Sequence, residues 1–377
     1  MAQLRDVAIV GAGLVGLSAA RALAARGRDV VVLEKAEIGN TDSGSKGKCR
    51  IFRLGYPDPV YVRAAQQAGS LWRELEAESG TQILWPVPQL TIGTGLRTVQ
   101  DAMITAGARC ELLTAEEAAR RFPAMRVGGP ALLEPDSAVI AADAALAALA
   151  ARPADIRTGV RVTRLSDDGR QVTLRTTAGP VTARVAIVTA GPWSGGLLAA
   201  LSVPVPGRAT LEQVAYLEPA DPAHPPSMPI FIAHAEQAPY GLPVPGSPLF
   251  KIGIHQSGPA IDPDAQDPSP DPWLLARLAD TVREYLPALR PQPAATERCV
   301  YDNTPDEDFI VDRVGQVAIG CGTSGHGFKF GPLLGEWLAD LADGQASAGS
   351  LAGAGSLASL DPQQSERFAV GRFRPPA

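Results

Sequence analysis

The chain has 377 residues, of which 45% are hydrophobic and 20% are charged, and its formal net charge is −6 at pH 7. The length predicts two domains, or one large domain with an insertion, because domains commonly hold about 100–200 residues. The acidic balance and the scattered Lys and Arg residues argue against a nucleic-acid-binding protein, and no apolar run reaches the roughly 20 residues of a membrane helix.

The first predicted elements form a β-α-β unit at the start of the chain. The apolar residues 6–10 predict a buried strand, and the Ala-rich segment 14–26 predicts a helix. Val30–Leu33 predicts a second strand, which ends at Glu34. A polar, basic stretch rich in Gly and Ser follows at 41–53.

Helices and strands alternate in the next part of the chain. Residues 59–79 predict a long helix. Another helix begins near Thr114, where Thr114 and Glu117 fit a capping box, and Pro123 ends it. Further predicted elements are a helix at 143–151 and strands at 156–165, 171–177 and 181–189.

Strands dominate the second half of the sequence. The predicted elements are strands over 208–255, a helix at 272–286, a strand around Cys299, strands at 308–312 and 316–320, and a helix at 330–341. Residues 343–360 are rich in Ala, Gly and Ser and predict a mobile loop. One β-α-β unit with many antiparallel-looking strands predicts a mixed α/β (α+β) fold and not a plain doubly wound sheet.

The cysteines and histidines predict neither a disulfide framework nor a metal site. The four cysteines are far apart and form no C-x-x-C pair, and the four histidines have no metal-ligand spacing. The N-terminus lacks the basic start and cleavage site of a secretory signal. We therefore expect a cytoplasmic protein whose partners are small molecules, with no nucleic acid and no membrane.

Gly11, Gly13 and Gly16 form a G-x-G-x-x-G pattern between the first strand and the first helix. Gly11 permits a tight turn, Gly13 lets a pyrophosphate approach the backbone, and Gly16 lets the helix pack close to the strand. The helix N-terminus offers N–H groups to the phosphate. Glu34 ends the second strand, where a carboxylate accepts hydrogen bonds from an adenosine ribose. The ordered set predicts a dinucleotide site.

Several separated motifs resemble the monomeric sarcosine oxidase and N-methyltryptophan oxidase family, part of the D-amino acid oxidase-like group of FAD-dependent oxidoreductases. Their order and spacing match that family along nearly the whole chain. The motifs are Gly47-Lys48-Cys49-Arg50-Ile51-Phe52-Arg53, Tyr240-Gly241-Leu242-Pro243, Phe250-Lys251-Ile252-Gly253-Ile254-His255, Cys299-Val300-Tyr301 with Thr304-Pro305-Asp306, and Ser324-Gly325-His326-Gly327-Phe328-Lys329-Phe330.

The resemblance implies a Rossmann-like FAD-binding domain interleaved with an antiparallel-sheet substrate domain. The expected FAD-binding segments are 1–78, 136–203 and 303–377, and the expected substrate-domain segments are 79–135 and 204–302. The expected cofactor-binding residues are Gly11, Gly13, Gly16, Glu34, Lys46, Cys49, Arg50, Val162, Cys299, Gly325, Gly327 and Lys329. The family has a monomeric state, which we also expect here.

Three roles come from the resemblance. Cys299 matches a cysteine that forms a thioether to the 8-methyl group of FAD, although a buried core cysteine is the ordinary interpretation of a single Cys. Lys251 matches a lysine whose fixed charge assists electron transfer from reduced flavin to dioxygen; a solvent-facing strand lysine is the alternative. Arg53 and Lys329 match a pair that binds the substrate carboxylate.

Further residues are assigned in the same way. Arg50 resembles a residue packed against the flavin, and Tyr240 and His255 resemble residues of the substrate cavity. His255 comes four residues after Lys251 on one predicted strand, so their side chains should share a face. Tyr301 resembles another active-site tyrosine.

Two positions depart from the pattern, since many relatives carry His in place of Lys46 and Thr in place of Cys49. Both lie in the segment that approaches the flavin, so oxygen reactivity or substrate choice can differ.

A second G-x-G-x-x-G occurs at Gly320, Gly322 and Gly325. No second strand with an acidic end follows it, so a second nucleotide site is not predicted. It is either a structural turn or a set of backbone N–H groups, with the helix start after Gly327, that faces negative charge on the flavin. With one complete dinucleotide unit, electrons should come from a small substrate and not from NAD(P)H.

The predicted activity is oxidation of a secondary or cyclic amino acid such as sarcosine, another N-methyl amino acid, or a proline- or pipecolate-like imino acid. A hydride equivalent passes from the carbon beside nitrogen to the flavin, and O2 is reduced to hydrogen peroxide. Alternatives are a dehydrogenase that passes electrons to a carrier, a natural-product tailoring oxidase, and a non-catalytic dinucleotide sensor. A serine hydrolase is not predicted, because Ser324 lacks the G-x-S-x-G frame.

Overall fold

The computed structural model of the chain describes residues 3–151, 154–344 and 360–373. These residues form two compact units. Unit 1 comprises the described residues of Met1–Lys46, Asp143–Ala209 and Tyr301–Ala377, and unit 2 comprises Gly47–Ala142 and Thr210–Val300. Residues 47–78, which the prediction assigned to the FAD-binding domain, belong to unit 2 in this division. Most of the loop expected at 343–360 lies outside the described residues.

The described residues contain nine α-helices and nineteen strands. The helices are α1 Leu14–Ala25, α2 Pro59–Ser79, α3 Leu96–Thr105, α4 Ala115–Arg121, α5 Ala142–Ala150, α6 Ser194–Ala199, α7 Pro272–Tyr285, α8 Gly331–Ala342 and α9 Pro362–Phe368. The strands are β1 Leu4–Val10, β2 Val30–Leu33, β3 Cys49–Phe52, β4 Leu84–Pro86, β5 Gln89–Gly93, β6 Glu111–Leu113, β7 Ala131–Glu134, β8 Ala138–Ala141, β9 Asp155–Arg157, β10 Val162–Asp167, β11 Val172–Thr176, β12 Val181–Val188, β13 Arg208–Pro219, β14 Ile230–His234, β15 Pro239–Pro243, β16 Phe250–Ile254, β17 Leu289–Asn303, β18 Ile310–Val314 and β19 Val317–Cys321. Short 3₁₀ turns are formed by Gly191–Trp193, Phe328–Phe330 and Val370–Phe373.

Unit 1 is built on an eight-stranded sheet with the order β10-β11-β12-β1-β2-β9, extended by β19 on β12 and β18 on β19. β1 runs parallel to both β2 and β12. Because parallel strands are covered on both faces, residues 7–10 of β1 and all of β2 are continuous apolar runs. Helices α1 and α8 pack closely, since a Cβ atom on Gly335 would lie 2.5 Å from the carbonyl carbon of Ser18. The predicted β-α-β unit is confirmed.

One predicted strand in unit 1 is wrong. Residues 156–165 form two strands, β9 and β10, at opposite ends of the sheet order. β9 pairs with β2, whereas β10 pairs with β11. Gly159 lies between the two strands with φ +69°, a left-handed conformation that breaks an extended run.

Unit 2 contains an eight-stranded sheet, β17-β13-β16-β15-β14-β5-β7-β6, and a small sheet, β3-β8-β4. One face of the large sheet, called the apolar face, belongs to a core with α7; its members include Leu90, Phe231, Ile252, Leu278 and Val282. Because side chains alternate along a strand, the strand residues next to Leu90, Phe231 and Ile252 point to the opposite face of the sheet. That opposite face, called the polar face, carries Gln89, Tyr216, Tyr240 and Lys251.

Helix α2 has the predicted bounds because local signals fix both of its ends. The Asp58 side chain accepts a hydrogen bond from the Val60 N–H, Pro59 occupies the first turn, and Gly80 ends the helix in the left-handed conformation. The predicted capping box of Thr114 and Glu117 is also present at α4. Of the helices that the structure describes, none combines the length and apolar character needed to cross a bilayer.

Candidate functional site

The turn after β1 has no room for side chains at two of its three glycines. Gly11 has φ +101°, and a Cβ atom there would lie 2.6 Å from the carbonyl oxygen of Thr189. A Cβ atom on Gly16 would lie 2.0 Å from the carbonyl oxygen of Gly11. Gly13 is open by comparison, because its Cβ atom would meet Ser45 Oγ at 3.2 Å and no other described atom within 4 Å.

The start of α1 lies beside Ser45 and the buried carboxylate of Glu34. Gly13 caps the helix without a side-chain hydrogen bond. The Leu14 N–H donates to Ser45 Oγ at 3.0 Å, a contact that was not predicted from the sequence. Glu34 is 8% exposed and accepts hydrogen bonds from the N–H groups of Ala12 and Ala36 at 2.8 and 3.1 Å. Each carboxylate oxygen keeps a further lone pair, so this turn fits a dinucleotide.

The second glycine-rich turn, Gly320–Gly327, is closely packed against its own unit. A Cβ atom on Gly320 would lie 2.6 Å from Leu338 Cδ1, and one on Gly325 would lie 2.1 Å from the Tyr301 ring. Gly327 is similarly close to Thr323. Packing therefore accounts for these glycines. The helix expected at 330–341 begins at Gly331, after a 3₁₀ turn.

Lys329 follows this turn and is 4% exposed. Its Nζ donates to the carbonyl oxygen of His326 at 2.7 Å and lies 5.2 Å from the Phe330 ring centroid. His326 in turn contacts the Phe309 ring at 4.7 Å between centroids. A buried ammonium group with polar and aromatic neighbours is thus held in unit 1.

Asp302 holds the Gly320–Gly327 turn through a side-chain hydrogen bond. Its Oδ2 accepts a hydrogen bond from the Gly322 N–H at 2.6 Å. Burial raises the pKa of Asp302 to about 6, and the bond from Gly322 opposes this shift only in part. The ionised carboxylate is therefore less stable in the folded protein than in the unfolded chain.

Replacing Asp302 with Asn should remove a pH-dependent part of the stability. Because the pKa of Asp302 is raised in the folded state, its protonated carboxyl group contributes stability that is fully present below pH 4. This contribution is lost as the pH rises through about 6. We expect Asp302→Asn to raise the free energy of unfolding by about 1–3 kcal/mol at pH 8, and by almost nothing at pH 4. Urea unfolding at both pH values measures this. An equal effect at both would contradict the assignment.

Lys251 lies on the polar face of unit 2, in the middle of the large sheet. It is paired with Tyr216 of β13 and with Leu242 of β15, so the three side chains share one face. Tyr240, two residues before Leu242, points the same way, and its ring lies across Gly253: a Cβ atom there would be 2.5 Å from the Tyr240 hydroxyl. Only glycine leaves space for this ring.

The Lys251 ammonium is 2% exposed. Its Nζ donates to the carbonyl oxygen of Cys49 at 3.1 Å, and the Arg50 guanidinium donates to the same oxygen at 3.0 Å. Burial lowers the pKa of Lys251, and the nearby Arg50 lowers it further. The ammonium form is therefore less favoured here than in an exposed lysine.

Tyr216 and Glu297 complete the surroundings of Lys251. The Tyr216 hydroxyl donates to Glu297 Oε2 at 2.8 Å, and burial followed by the Glu297 charge raises the pKa of Tyr216. Its ring centroid lies 5.9 Å from the Nζ of Lys251 and 5.8 Å from that of Lys48. Neither residue belongs to a recognised motif, so this pair was not predicted from the sequence.

Arg53 lies farther along unit 2, just after β3. Its guanidinium donates to the carbonyl oxygen of Gly55 and lies 4.2 Å from the Tyr56 ring centroid. Burial raises the pKa of Tyr56 to about 12, although Arg53 opposes the shift. Burial and the Arg53 charge together lower the pKa of His234. Arg53 thus provides the positive charge near several buried groups.

Cys49 and Cys299 are both buried, at 0% and 5% exposed, and both belong to a core cluster with Tyr216. The other two described cysteines are Cys110 and Cys321, and none of the four forms a disulfide within the described residues. Burial raises the pKa of the Cys321 thiol well above its usual value.

The remaining predicted residues have structural neighbours of several kinds. His255 follows the last residue of β16, and its N–H donates to the carbonyl oxygen of Ala238 at 3.2 Å. It therefore lies just beyond the strand on which it was predicted. Val162 is packed in the core of the unit 1 sheet. The Lys46 Nζ donates to the carbonyl oxygen of Thr41.

The structure thus collects the predicted residues into two groups. Unit 1 holds the glycines of both turns with Glu34, Lys46, Val162, Tyr301 and Lys329, and unit 2 holds Cys49, Arg50, Arg53, Tyr240, Lys251, His255 and Cys299. Among the described residues, no cluster of His, Cys, Asp and Glu could hold a metal ion.

Known proteins resemble the chain over most of its length. Residues 6–341 match the family model described as FAD dependent oxidoreductase. The peroxisomal sarcosine oxidase of Mus musculus is 34% identical, over 89% of this chain and 91% of the relative. The monomeric sarcosine oxidase of Bacillus sp. (strain NS-129) is 31% identical, over 89% and 92%.

A solved structure agrees with the sequence relatives. The open form of NikD, described as an unusual amino acid oxidase essential for nikkomycin biosynthesis, superposes with a TM-score of 0.83. It is 26% identical, and the match covers 97% of both chains. The mixed α/β architecture and the family resemblance predicted from the sequence are confirmed.

Proposed function

The chain belongs to the family of FAD-dependent oxidoreductases, and on this premise we propose that it oxidises a secondary or cyclic amino acid and passes the electrons to dioxygen. Candidate substrates are sarcosine, other N-methyl amino acids, and proline- or pipecolate-like imino acids. The names of the mouse and Bacillus relatives support the first of these.

The turn after β1 supports FAD as the cofactor. The left-handed Gly11, the open Gly13 and the start of α1, where Gly13 makes no side-chain cap, suit a pyrophosphate. Glu34 lies beside the turn and suits a ribose. FAD held there would supply the hydride acceptor for the substrate carbon beside nitrogen and the redox centre that dioxygen reoxidises.

The chain's own residues are proposed to orient the substrate. Arg53 and Lys329 bind the carboxylate, the first through its planar fork and the second as a point charge. Tyr240, His255 and Tyr301 shape the space around the amine. The amine must be neutral, because a protonated nitrogen has no lone pair to support C–H cleavage.

The observation that carries the proposal is the buried Lys251 beside Arg50. A lysine on an ordinary strand faces solvent, whereas Lys251 is 2% exposed on the polar face. A fixed cation in a dry environment stabilises the negative charge that develops as dioxygen is reduced. This favours an oxidase over a dehydrogenase that uses an electron carrier.

Covalent attachment of FAD through Cys299 is part of the proposal. Its support is the Cys-x-Tyr motif and the position of Cys299 in the same core cluster as Tyr216 and Cys49. We also propose a monomer that works in the cytoplasm. The name of the Bacillus relative supports the monomer, and a cytoplasmic location is consistent with cysteines that form no disulfide within the described residues.

A second candidate is a tailoring oxidase of a cyclic amino acid in natural-product synthesis. The observation that favours it is the fit to NikD, at a TM-score of 0.83 and 26% identity. The two candidates share the reaction and differ in the size of the substrate.

Anaerobic flavin bleaching tests the proposal. Purified protein mixed with sarcosine, N-methyl amino acids, proline and pipecolate should lose its yellow colour with at least one of them and recover it, with release of peroxide, when air is admitted. Bleaching without peroxide would favour the dehydrogenase. No bleaching by any amine would favour a non-catalytic dinucleotide sensor.

A further inference from the structure

A buried carboxylate occupies the polar face of the large sheet. Glu134 is 1% exposed and lies opposite Gln89 in the pairing of β7 with β5. Its Oε1 accepts hydrogen bonds from Gln89 Nε2 at 2.5 Å and from Thr91 Oγ1 at 3.4 Å. One oxygen of the carboxylate is therefore fixed by the sheet.

The other oxygen holds the loop that follows Arg53. Glu134 Oε2 accepts hydrogen bonds from the N–H groups of Gly55 and Leu54, at 2.8 and 3.3 Å. The Gly55 carbonyl oxygen accepts from the Arg53 guanidinium. A chain of hydrogen bonds thus runs from the sheet to Arg53. A Cβ atom on Gly55 would lie 2.2 Å from Glu134 Oε1, so the contact leaves no space for a side chain.

The same loop is held from its other end by aromatic packing. Tyr56 is 6% exposed, lies 4.2 Å from the Arg53 guanidinium, and stacks on Tyr61 with ring centroids 5.1 Å apart. Tyr61 belongs to the first turn of α2. An arginine that is ordered before binding loses less conformational entropy when it captures a carboxylate.

We propose that Glu134 is a positioning residue that orders the 53–56 loop and so presents the Arg53 guanidinium to the substrate carboxylate. The inference rests on the proposed function, in which Arg53 binds that carboxylate. Glu134 acts through Leu54 and Gly55 and does not contact the substrate. Its effect should therefore appear in substrate affinity and be absent from the chemical step.

The first test is Glu134→Gln. Glutamine keeps the shape but replaces one acceptor oxygen with an NH2 group, which faces either the loop N–H groups or Gln89. We expect the KM for the amino acid substrate to rise about 10- to 100-fold, the size expected when one buried hydrogen-bond acceptor is mispaired. The kcat should stay within about threefold. The corresponding amino amide, which lacks the carboxylate, should show little change in KM.

A double-mutant cycle separates this role from a general structural one. In an Arg53→Met background, Glu134→Gln should add less than about a twofold change in KM, because the group that it positions is gone. Glu116→Gln removes the same charge from an exposed position of α4 and should behave as wild type. Independent effects of the two substitutions would overturn the proposal.

Amide hydrogen exchange and a second variant, Gly55→Ala, test the same contact independently of Glu134→Gln activity. Amide hydrogen exchange at Leu54 and Gly55 should accelerate at least tenfold in Glu134→Gln, while exchange in β16 stays unchanged. If that variant does not fold, Gly55→Ala disturbs the same contact from the loop side and should raise KM in the same way. A wild type that oxidises no amino acid contradicts the proposed function; an active wild type with an unchanged KM in both variants contradicts only this inference.

Discussion

Lys251→Met is expected to slow the reaction of the reduced enzyme with dioxygen by about 100- to 1,000-fold, the usual loss when one preorganised charge-stabilising group is removed. The rate of anaerobic bleaching should change by less than about threefold, because Lys251 is not proposed to bind the amine. Methionine is close to lysine in length and suits a buried position. Since burial already lowers the pKa of Lys251, the variant should be at least as stable as the wild type.

Lys48 provides a matched control for Lys251. The two Nζ atoms lie at nearly equal distances from the Tyr216 ring centroid, 5.8 Å for Lys48 and 5.9 Å for Lys251, but Lys48 is exposed. Lys48→Met should therefore react with dioxygen at the wild-type rate. Stopped-flow mixing of the reduced protein with aerated buffer measures both variants. A Lys251→Met enzyme that reoxidises normally would mean that another group activates oxygen.

Cys299→Ala is expected to abolish covalent attachment of the flavin completely. In the wild type the yellow pigment should stay with the protein after acid precipitation, whereas in Cys299→Ala it should remain wholly in the supernatant. The variant should still bind FAD non-covalently, because the dinucleotide turn lies in unit 1 and Cys299 lies in unit 2. The mass of the denatured protein gives a second reading.

Cys49→Ala and Cys321→Ala are the controls for this experiment. Cys49 is the informative one, since it is buried in the same cluster as Cys299. Both control variants should keep the pigment bound. Pigment that is released by Cys49→Ala and retained by Cys299→Ala would move the attachment point to Cys49.

Elements with strong local signals could be predicted from the sequence. Helix α2 was placed correctly because Asp58, Pro59 and Gly80 define its ends. The split between β9 and β10 was missed because Gly159 was a weak local sign. The separation depends on β9 pairing with the distant strand β2, whereas β10 forms a hairpin with β11. Strands β4 to β8 have only three to five residues each, too few for a clear periodic pattern.

The candidate site also contains residues with local sequence signals and residues whose contacts depend on distant segments. Gly11, Gly13 and Gly16 carry their own signature. For Lys251 the sequence left a solvent-facing strand position open, and the structure shows the residue to be 2% exposed. The contact of Glu134 with Gln89 depends on pairing between β5 and β7, and its contact with Gly55 spans 79 residues. Such contacts become visible only when the pairing of distant segments is known.

The interleaving of the two units also determines when each can be completed during synthesis on the ribosome. The edge of the unit 1 sheet formed by β18 and β19 is added to β12 only after residue 321 has been made. At about 5–20 residues per second, the N-terminal β-α-β segment waits tens of seconds for these strands, its apolar surfaces available to chaperones. Fragments truncated before this point should therefore aggregate rather than fold, and attachment of the pigment should occur after translation is essentially finished.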